Sequence, residues 1–73
     1  MKNKYKVAVV GCGSIANAHL EGYKKLPKVE VKAVVDTNIA AREMYMNEYQ
    51  IPNGYENLEA MLIEINPDIV SIC

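Results

Sequence analysis

One short motif constrains the fold of this chain more than any other feature: Gly11-Cys12-Gly13-Ser14-Ile15-Ala16, which has the pattern G-x-G-x-x-A. It follows an apolar, β-branched stretch that ends at Val10, and it opens a stretch with helical spacing. A strand that turns through two glycines into a helix is typical of the first unit of a doubly wound sheet. The motif therefore predicts an α/β fold built on parallel strands.

The rest of the chain continues this alternation of strands and helices. Strands are predicted at 4–10, 29–35, 51–55 (a short edge strand) and 68–73, and helices at 14–25, after a cap at Thr37 or Asn38, and from a cap at Asn57 to Asn66-Pro67. Right-handed crossovers then give the strand order 3-2-1-4, with the first two helices on one face and the third on the other. The predicted fold is a partial doubly wound (Rossmann) sheet.

Each position of the glycine motif has a physical role in binding a phosphate. Gly11 permits the tight turn, Gly13 lets the backbone approach a pyrophosphate, and the small Ala16 lets the helix pack close to the strand. The free N–H groups at the start of the helix then hold the phosphates. Because no lysine follows in G-K-[ST] spacing, the motif is not a P-loop.

A carboxylate at the end of the second strand complements the glycine motif. Asp36 lies 20 residues after Ala16, where it can accept hydrogen bonds from both ribose hydroxyls of an adenosine and repel a 2′-phosphate. Neither Thr37 nor Asn38 offers a cation, so NAD is favoured over NADP. Arg42 sits one helical turn further on, where a cation can soften that preference.

Composition and charge exclude several classes of protein. The 73 residues make one small domain at most, and eight Lys+Arg against nine Asp+Glu argue against a nucleic-acid or anionic-membrane binder. No apolar run approaches the roughly 18 residues of a transmembrane helix. The apolar stretch Val7–Val10 is too short for a signal-peptide core, so a cytoplasmic location is expected.

Three further side chains invite a chemical role. His19 lies in the middle of the apolar face of the first helix, and we interpret it as a packed residue and not a catalytic one. Cys12 and Cys73 follow neighbouring strands, so a bond between them is geometrically conceivable, but a reducing cytosol favours two free thiols. Two cysteines cannot make a zinc site alone, and no metal is predicted.

The residues Val7–Ala16, with His19 and Ala33–Asp36, resemble the N-terminus of the Gfo/Idh/MocA family (glucose–fructose oxidoreductase, inositol dehydrogenase, rhizopine catabolism). The stretches 55–62 and 67–72 are similar to that family's next helix and fourth strand, so the resemblance covers essentially the whole chain. It implies an NAD(P)-dependent oxidoreductase that transfers hydride between nicotinamide and a sugar, polyol or related compound. By position, the residues that would bind the dinucleotide are Gly11, Gly13, Ser14, Ile15 and Asp36.

The resemblance also implies that 1–73 is the N-terminal portion of a dinucleotide-binding domain. In that family a Thr-Pro segment, a Glu-Lys-Pro segment with a catalytic lysine, and a substrate domain come later in the chain, so no catalytic residue is assigned here and no turnover is expected. The fourth strand would have an unpaired outer edge, which predicts a homo-oligomer or self-association. Two alternatives stay open: a stand-alone nucleotide-binding or assembly module, and a fragment of an S-adenosylmethionine-dependent methyltransferase, which Cys12 and Ile15-Ala16 fit poorly.

Overall fold

A computed structural model describes residues 4–11 and 13–73 and contains a four-stranded sheet with three helices. The elements are β1 (Tyr5–Val10), α1 (Ser14–Lys24), β2 (Val29–Val35), α2 (Ile39–Tyr49), β3 (Asn53–Tyr55), α3 (Leu58–Ile65) and β4 (Ile69–Ile72). All paired strands are parallel, in the order β3-β2-β1-β4. The predicted partial Rossmann sheet is confirmed, with element ends within about two residues of those predicted.

Two of the helices begin at an asparagine that caps them. Asn38 accepts a hydrogen bond from the N–H of Ala41 at 3.0 Å, and Asn57 accepts one from the N–H of Ala60 at the same distance. Each side chain satisfies a donor that the first helical turn leaves unpaired. The remaining helix, α1, has Gly13 as its N-cap residue, which offers no side chain to accept a hydrogen bond.

The core lies on both faces of the sheet. The face covered by α1 and α2 buries Val7, Val9, Ala16, Leu20, Val34, Tyr45 and Ile51. The face covered by α3 buries Ala8, Ala33, Val35 and Met61. Neighbouring residues of β1 alternate between the two clusters because successive side chains of a strand point to opposite faces. The predicted division of the helices between the two faces is therefore confirmed.

His19 is exposed, so its interpretation as a packed histidine is wrong. The buried stripe of α1 is narrow: Ala16 and Leu20 are fully buried and Tyr23 packs beside them. His19 lies three residues after Ala16, at the edge of this stripe, where the imidazole keeps its contact with water. A polar ring needs a partner when it is buried, and the exposed edge of the helix removes that need.

In the described part of the chain, no helix is long and apolar enough to cross a bilayer.

The cap of α3 gives a direct test of this account. Asn57→Ala should lower the free energy of unfolding by about 1 kcal/mol, because the N–H of Ala60 loses its acceptor. Asn57→Asp should keep most of the stability, since a carboxylate oxygen accepts the same bond. Urea unfolding followed by circular dichroism measures both. An alanine variant as stable as the parent would show that the cap contributes nothing.

Candidate nucleotide-binding site

Two strands end side by side and bring Gly11 and Asp36, two of the predicted residues, to the same edge of the sheet. Val10 of β1 pairs with Val35 of β2, so Gly11 and Asp36 leave the sheet at the same level. The N–H of Gly11 donates to the carbonyl of Val35 at 2.7 Å, and the N–H of Asp36 donates to the carbonyl of Tyr55 at 2.9 Å. Ligands of doubly wound sheets bind at this edge, beyond the carboxyl ends of the strands.

Gly11 is required by the backbone itself. Its φ is +90°, a conformation that side chains disfavour, and a Cβ at this position would lie 3.1 Å from the carbonyl oxygen of Cys73. Cys73 is held there, because its N–H donates to the carbonyl of Val10 at 2.9 Å. Gly11 therefore serves the turn and the β1–β4 junction, whatever it does for a ligand.

Gly13 has no such requirement. It is exposed and extended, with φ −80° and ψ −175°, and a Cβ added to it would meet nothing within 4 Å. The space beside this glycine is therefore open, next to the start of α1. The N–H of Ala16 donates there to the Gly13 carbonyl at 3.0 Å, and a helix as a rule leaves its earlier N–H groups without intrahelical partners. An anion can approach the backbone there without meeting a side chain. Helix α2 holds this turn in place, since the Tyr45 hydroxyl donates to the Gly13 carbonyl at 3.1 Å.

Asp36 is half-buried at the start of the loop to α2. One of its carboxylate oxygens accepts the N–H of Asn38 at 2.7 Å, and its backbone carbonyl accepts a hydrogen bond from Arg42 at 2.8 Å. These bonds hold both the carboxylate and the strand end in place. A shallow, open cleft of about 300 Å³ lies beside them, lined by Val10, Gly11, Val35, Asp36, Thr37, Glu56 and Leu58.

A larger hollow, of about 400 Å³, contains none of the predicted residues. It lies between α1, β2 and α2, and its lining includes Tyr23, Val29 and Tyr49. Val29 begins β2, so this hollow is at the amino ends of the strands, away from the edge where doubly wound sheets bind ligands. Volume alone therefore does not identify the site.

Some predicted features lie outside the described part of the chain. These are Cys12, with its proposed proximity to Cys73, and the side chains of Ser14 and Ile15. Cys73 itself is a free, exposed cysteine, and burial of part of its thiol raises its pKa. Among the described residues, no three His, Cys, Asp or Glu side chains are grouped so that they could hold a metal ion.

Sequence reasoning missed three contributors to the site. The hydroxyl of Tyr45 holds the glycine turn, since it donates to the Gly13 carbonyl. Tyr55 supplies the carbonyl that fixes Asp36, and Glu56 lines the cleft. Each acts from a distant part of the chain, so no local pattern signals it.

A second tyrosine behind the turn predicts a specific pH dependence. Tyr49 stacks on Tyr45 with ring centroids 5.9 Å apart, and its hydroxyl donates to Asn17. Desolvation, followed by the nearby Glu21 and Glu48, raises the pKa of Tyr49 to about 12. Because the folded pKa lies above the unfolded value of 10.0, the protonated hydroxyl of Tyr49 contributes to the free energy of unfolding. This contribution is complete below pH 10 and is lost as the pH rises through about 12.

The ultraviolet absorbance of tyrosinate measures this titration. We expect Tyr49 to ionise near pH 12, and ionisation of Tyr55 to be delayed as well, because desolvation and Glu64 raise its pKa. Glu21→Gln should lower the pKa of Tyr49 by removing a negative charge, and Tyr49→Phe should remove the part of the titration near pH 12. If all the tyrosines ionised together near pH 10, the environment assigned to Tyr49 would be wrong.

The fold and this edge define a class of protein: NAD-binding Rossmann domains. Residues 5–73 match the family described as "Oxidoreductase family, NAD-binding Rossmann fold". The chain therefore belongs to the Gfo/Idh/MocA oxidoreductase family, as its resemblance predicted.

Individual relatives agree with this assignment. The chain is 29% identical over 69 residues to D-glucoside 3-dehydrogenase of Escherichia coli (strain K12), covering 93% of this chain and 20% of that protein. It is 32% identical to the WlbA dehydrogenase of Chromobacterium violaceum, solved with NADH and UDP-GlcNAcA, with a TM-score of 0.89 over 96% of this chain and 20% of that one.

A more distant structure has the same fold. Scyllo-inositol dehydrogenase from Lactobacillus casei, solved with NAD(H) and scyllo-inositol, is 20% identical with a TM-score of 0.86, over 94% of this chain and 21% of that one. The chain thus spans about a fifth of the length of the relatives it matches.

Proposed function

We propose that this chain binds the adenosine and pyrophosphate half of NAD through Gly11, Gly13, Ser14, Ile15 and Asp36. One observation carries the proposal: the open backbone at Gly13 and the fixed carboxylate of Asp36 follow adjacent, paired strands. Amides at the start of α1 would hold the pyrophosphate, and Asp36 would accept hydrogen bonds from the ribose hydroxyls. When bound, NAD supplies the hydride acceptor, and the chain's own residues bind and orient it.

The reaction that we propose for the whole protein is hydride transfer between the nicotinamide and a sugar, polyol or related substrate. The relatives with printed substrates support this substrate class, since they act on a glucoside or were solved with an inositol or a nucleotide sugar. Because this chain spans about a fifth of their length, we propose that it forms the first part of the dinucleotide-binding domain and does not turn over alone.

Calorimetry with three ligands tests the binding proposal. NAD and ADP-ribose should bind with similar affinities, because both carry the adenosine and pyrophosphate that this chain contacts. S-adenosylmethionine, which lacks the pyrophosphate, should not bind. Binding of S-adenosylmethionine alone would instead identify a methyltransferase fragment. If NAD and ADP-ribose both failed to bind to the folded chain, the proposal would be rejected.

The outer edge of β4 supports a further part of the proposal, self-association of this chain. β4 pairs with β1 on one side and is the last strand of the sheet, so its other edge lacks a neighbouring strand in the described chain. Ile72 of β4 is 75% exposed and Ile63 of α3 is 77% exposed. Unpaired edges with apolar neighbours template association.

Light scattering at low micromolar concentration measures the association. The parent chain should form dimers or larger species, and Ile72→Lys should favour the monomer because a charge on an edge strand opposes pairing. Ile39→Lys is the matched control, since Ile39 is also exposed but lies on α2. A clean, stable monomer of the parent chain would contradict this proposal.

The free thiol of Cys73 fits the cytoplasmic location that we propose, where thiols stay reduced.

A further inference from the structure

A buried tyrosine of α2 forms a hydrogen bond with the turn that opens α1. The side chain of Tyr45 is 5% exposed and belongs to the core cluster on the face of the sheet that α1 and α2 cover. Its hydroxyl donates to the carbonyl of Gly13 at 3.1 Å, and its ring stacks on Tyr49 with the two planes 17° from parallel. Core packing and the neighbouring ring therefore fix the ring of Tyr45, and with it the position of its hydroxyl.

The Gly13 carbonyl accepts two hydrogen bonds, one for each of its lone pairs. Besides the Tyr45 hydroxyl, the N–H of Ala16 donates to it at 3.0 Å. The bond from Ala16 belongs to the first turn of α1 itself, whereas the bond from Tyr45 comes from another element of the fold. A glycine backbone has more conformational freedom than any other, so a peptide group that follows it gains most from a second donor. Together the two bonds fix the plane of the peptide group between Gly13 and Ser14.

The plane of this peptide group decides where its N–H points. In a trans peptide, the carbonyl and the N–H of the next residue lie in one plane and point in opposite directions. Because the Gly13 carbonyl points toward Tyr45 and the first turn of α1, the N–H of Ser14 points away from the helix, out of its start. In NAD-binding Rossmann domains, the class to which this chain belongs, the N–H groups at this helix start hold the pyrophosphate.

We propose that Tyr45 is a positioning residue for the pyrophosphate: its hydroxyl holds the Gly13 carbonyl so that the Ser14 N–H already points at the ligand's site before binding. The inference rests on the proposed binding of a pyrophosphate at this turn. The physical gain is preorganisation, because a peptide group that had to be ordered on binding would cost part of the binding free energy. Tyr45 acts through Gly13 and does not itself contact the ligand.

Two ligands, one with a pyrophosphate and one without, test this proposal: ADP-ribose and adenosine. NMR titrations measure both affinities, because they extend to weak ligands. Tyr45→Phe keeps the buried ring and removes the hydroxyl, so it should weaken the binding of ADP-ribose by about three- to tenfold, the range for one net hydrogen bond, and leave that of adenosine unchanged. Tyr49→Phe is the matched control. Its hydroxyl donates to the side chain of Asn17 and not to the turn, so both affinities should stay as in the parent chain.

A second measurement needs no ligand. The residual dipolar coupling of the Ser14 N–H reports the direction of that bond, and Tyr45→Phe should change it while the couplings in the rest of α1 stay the same. An unchanged coupling would refute the positioning role. So would a Tyr45→Phe variant that bound ADP-ribose as the parent does, or that lost affinity for both ligands equally, or a Tyr49→Phe variant with the same loss for ADP-ribose alone. Failure of the parent chain to bind ADP-ribose would instead reject the proposed function, while the coupling still tested the orientation of the peptide group.

Discussion

Replacing Gly13 with aspartate should stabilise the chain and, in the same protein, greatly weaken NAD binding. Gly13 is the N-cap of α1 and has no side chain to accept a hydrogen bond, whereas aspartate is among the preferred caps. We expect the free energy of unfolding to rise by about 1 kcal/mol. A side chain fits, because a Cβ at this position meets nothing within 4 Å.

The loss of binding has two causes that act together. The new side chain occupies the space through which a pyrophosphate approaches the backbone, and its carboxylate competes for the same N–H groups while repelling the phosphate charge. The affinity for NAD should fall by roughly a hundredfold or more, since a few kcal/mol of lost binding has this effect. Urea unfolding and calorimetry on the same preparation measure both quantities.

Gly13→Ser separates charge from shape. Serine also caps a helix, but without the charge the free energy of unfolding should rise by only about a few tenths of a kcal/mol, and the variant should lose less affinity for NAD. If Gly13→Asp bound NAD as tightly as the parent chain, the pyrophosphate would not lie at the start of α1. If it unfolded more easily than the parent, the extended conformation of Gly13 would be required for the fold, contrary to its open surroundings.

The second large effect is expected at Gly11, where the same motif has a different role. Gly11→Ala should lower the free energy of unfolding by about 2 kcal/mol or more, because a side chain at φ +90° is strained and its Cβ crowds the Cys73 carbonyl at 3.1 Å. Cys73 is itself held beside β1, because its N–H donates to the Val10 carbonyl at 2.9 Å.

Gly22→Ala is the matched control for this loss. Gly22 lies inside α1, where a Cβ meets nothing within 4 Å, and alanine there should stabilise the helix by up to about 1 kcal/mol. The same substitution should therefore have opposite signs at the two glycines when both variants are unfolded in urea. A Gly11→Ala variant as stable as the parent would mean that the turn relaxes to a negative φ at little cost.

Much of the fold could be predicted because its signals are local. Apolar alternation, asparagine caps and the Asn66-Pro67 stop act within a few residues, and together they identify every strand and helix of the described chain. The strand order followed from the right-handed crossover rule and from the order typical of doubly wound sheets, which apply to any chain with this alternation of elements. His19 was misjudged because helical spacing places a residue near a buried stripe without giving the width of that stripe.

The site was only partly predictable, because local patterns identify some of its residues but not the contacts between residues far apart in sequence. The spacing of Gly11, Gly13 and Asp36 indicated a nucleotide site, because the three follow paired strand ends in any sheet of this order. The contacts of Tyr45 with Gly13, and of Arg42 with Gly54 and Asp36, join residues of different elements through side-chain packing. No periodicity or motif encodes such a pairing.

The sequence by itself determined the order of the elements, the parallel sheet and the edge at which a dinucleotide is expected. Only the tertiary structure decided what each glycine of the motif is for, since Gly11 is crowded by Cys73 and Gly13 faces open space. It also decided that the single arginine, Arg42, lies at the end of β2, where it donates to the Asp36 carbonyl. The physical reason is the sequence separation of the residues that interact. Helices and strands are set by neighbours along the chain, whereas crowding, open space and charge at a site are set by residues far apart in sequence.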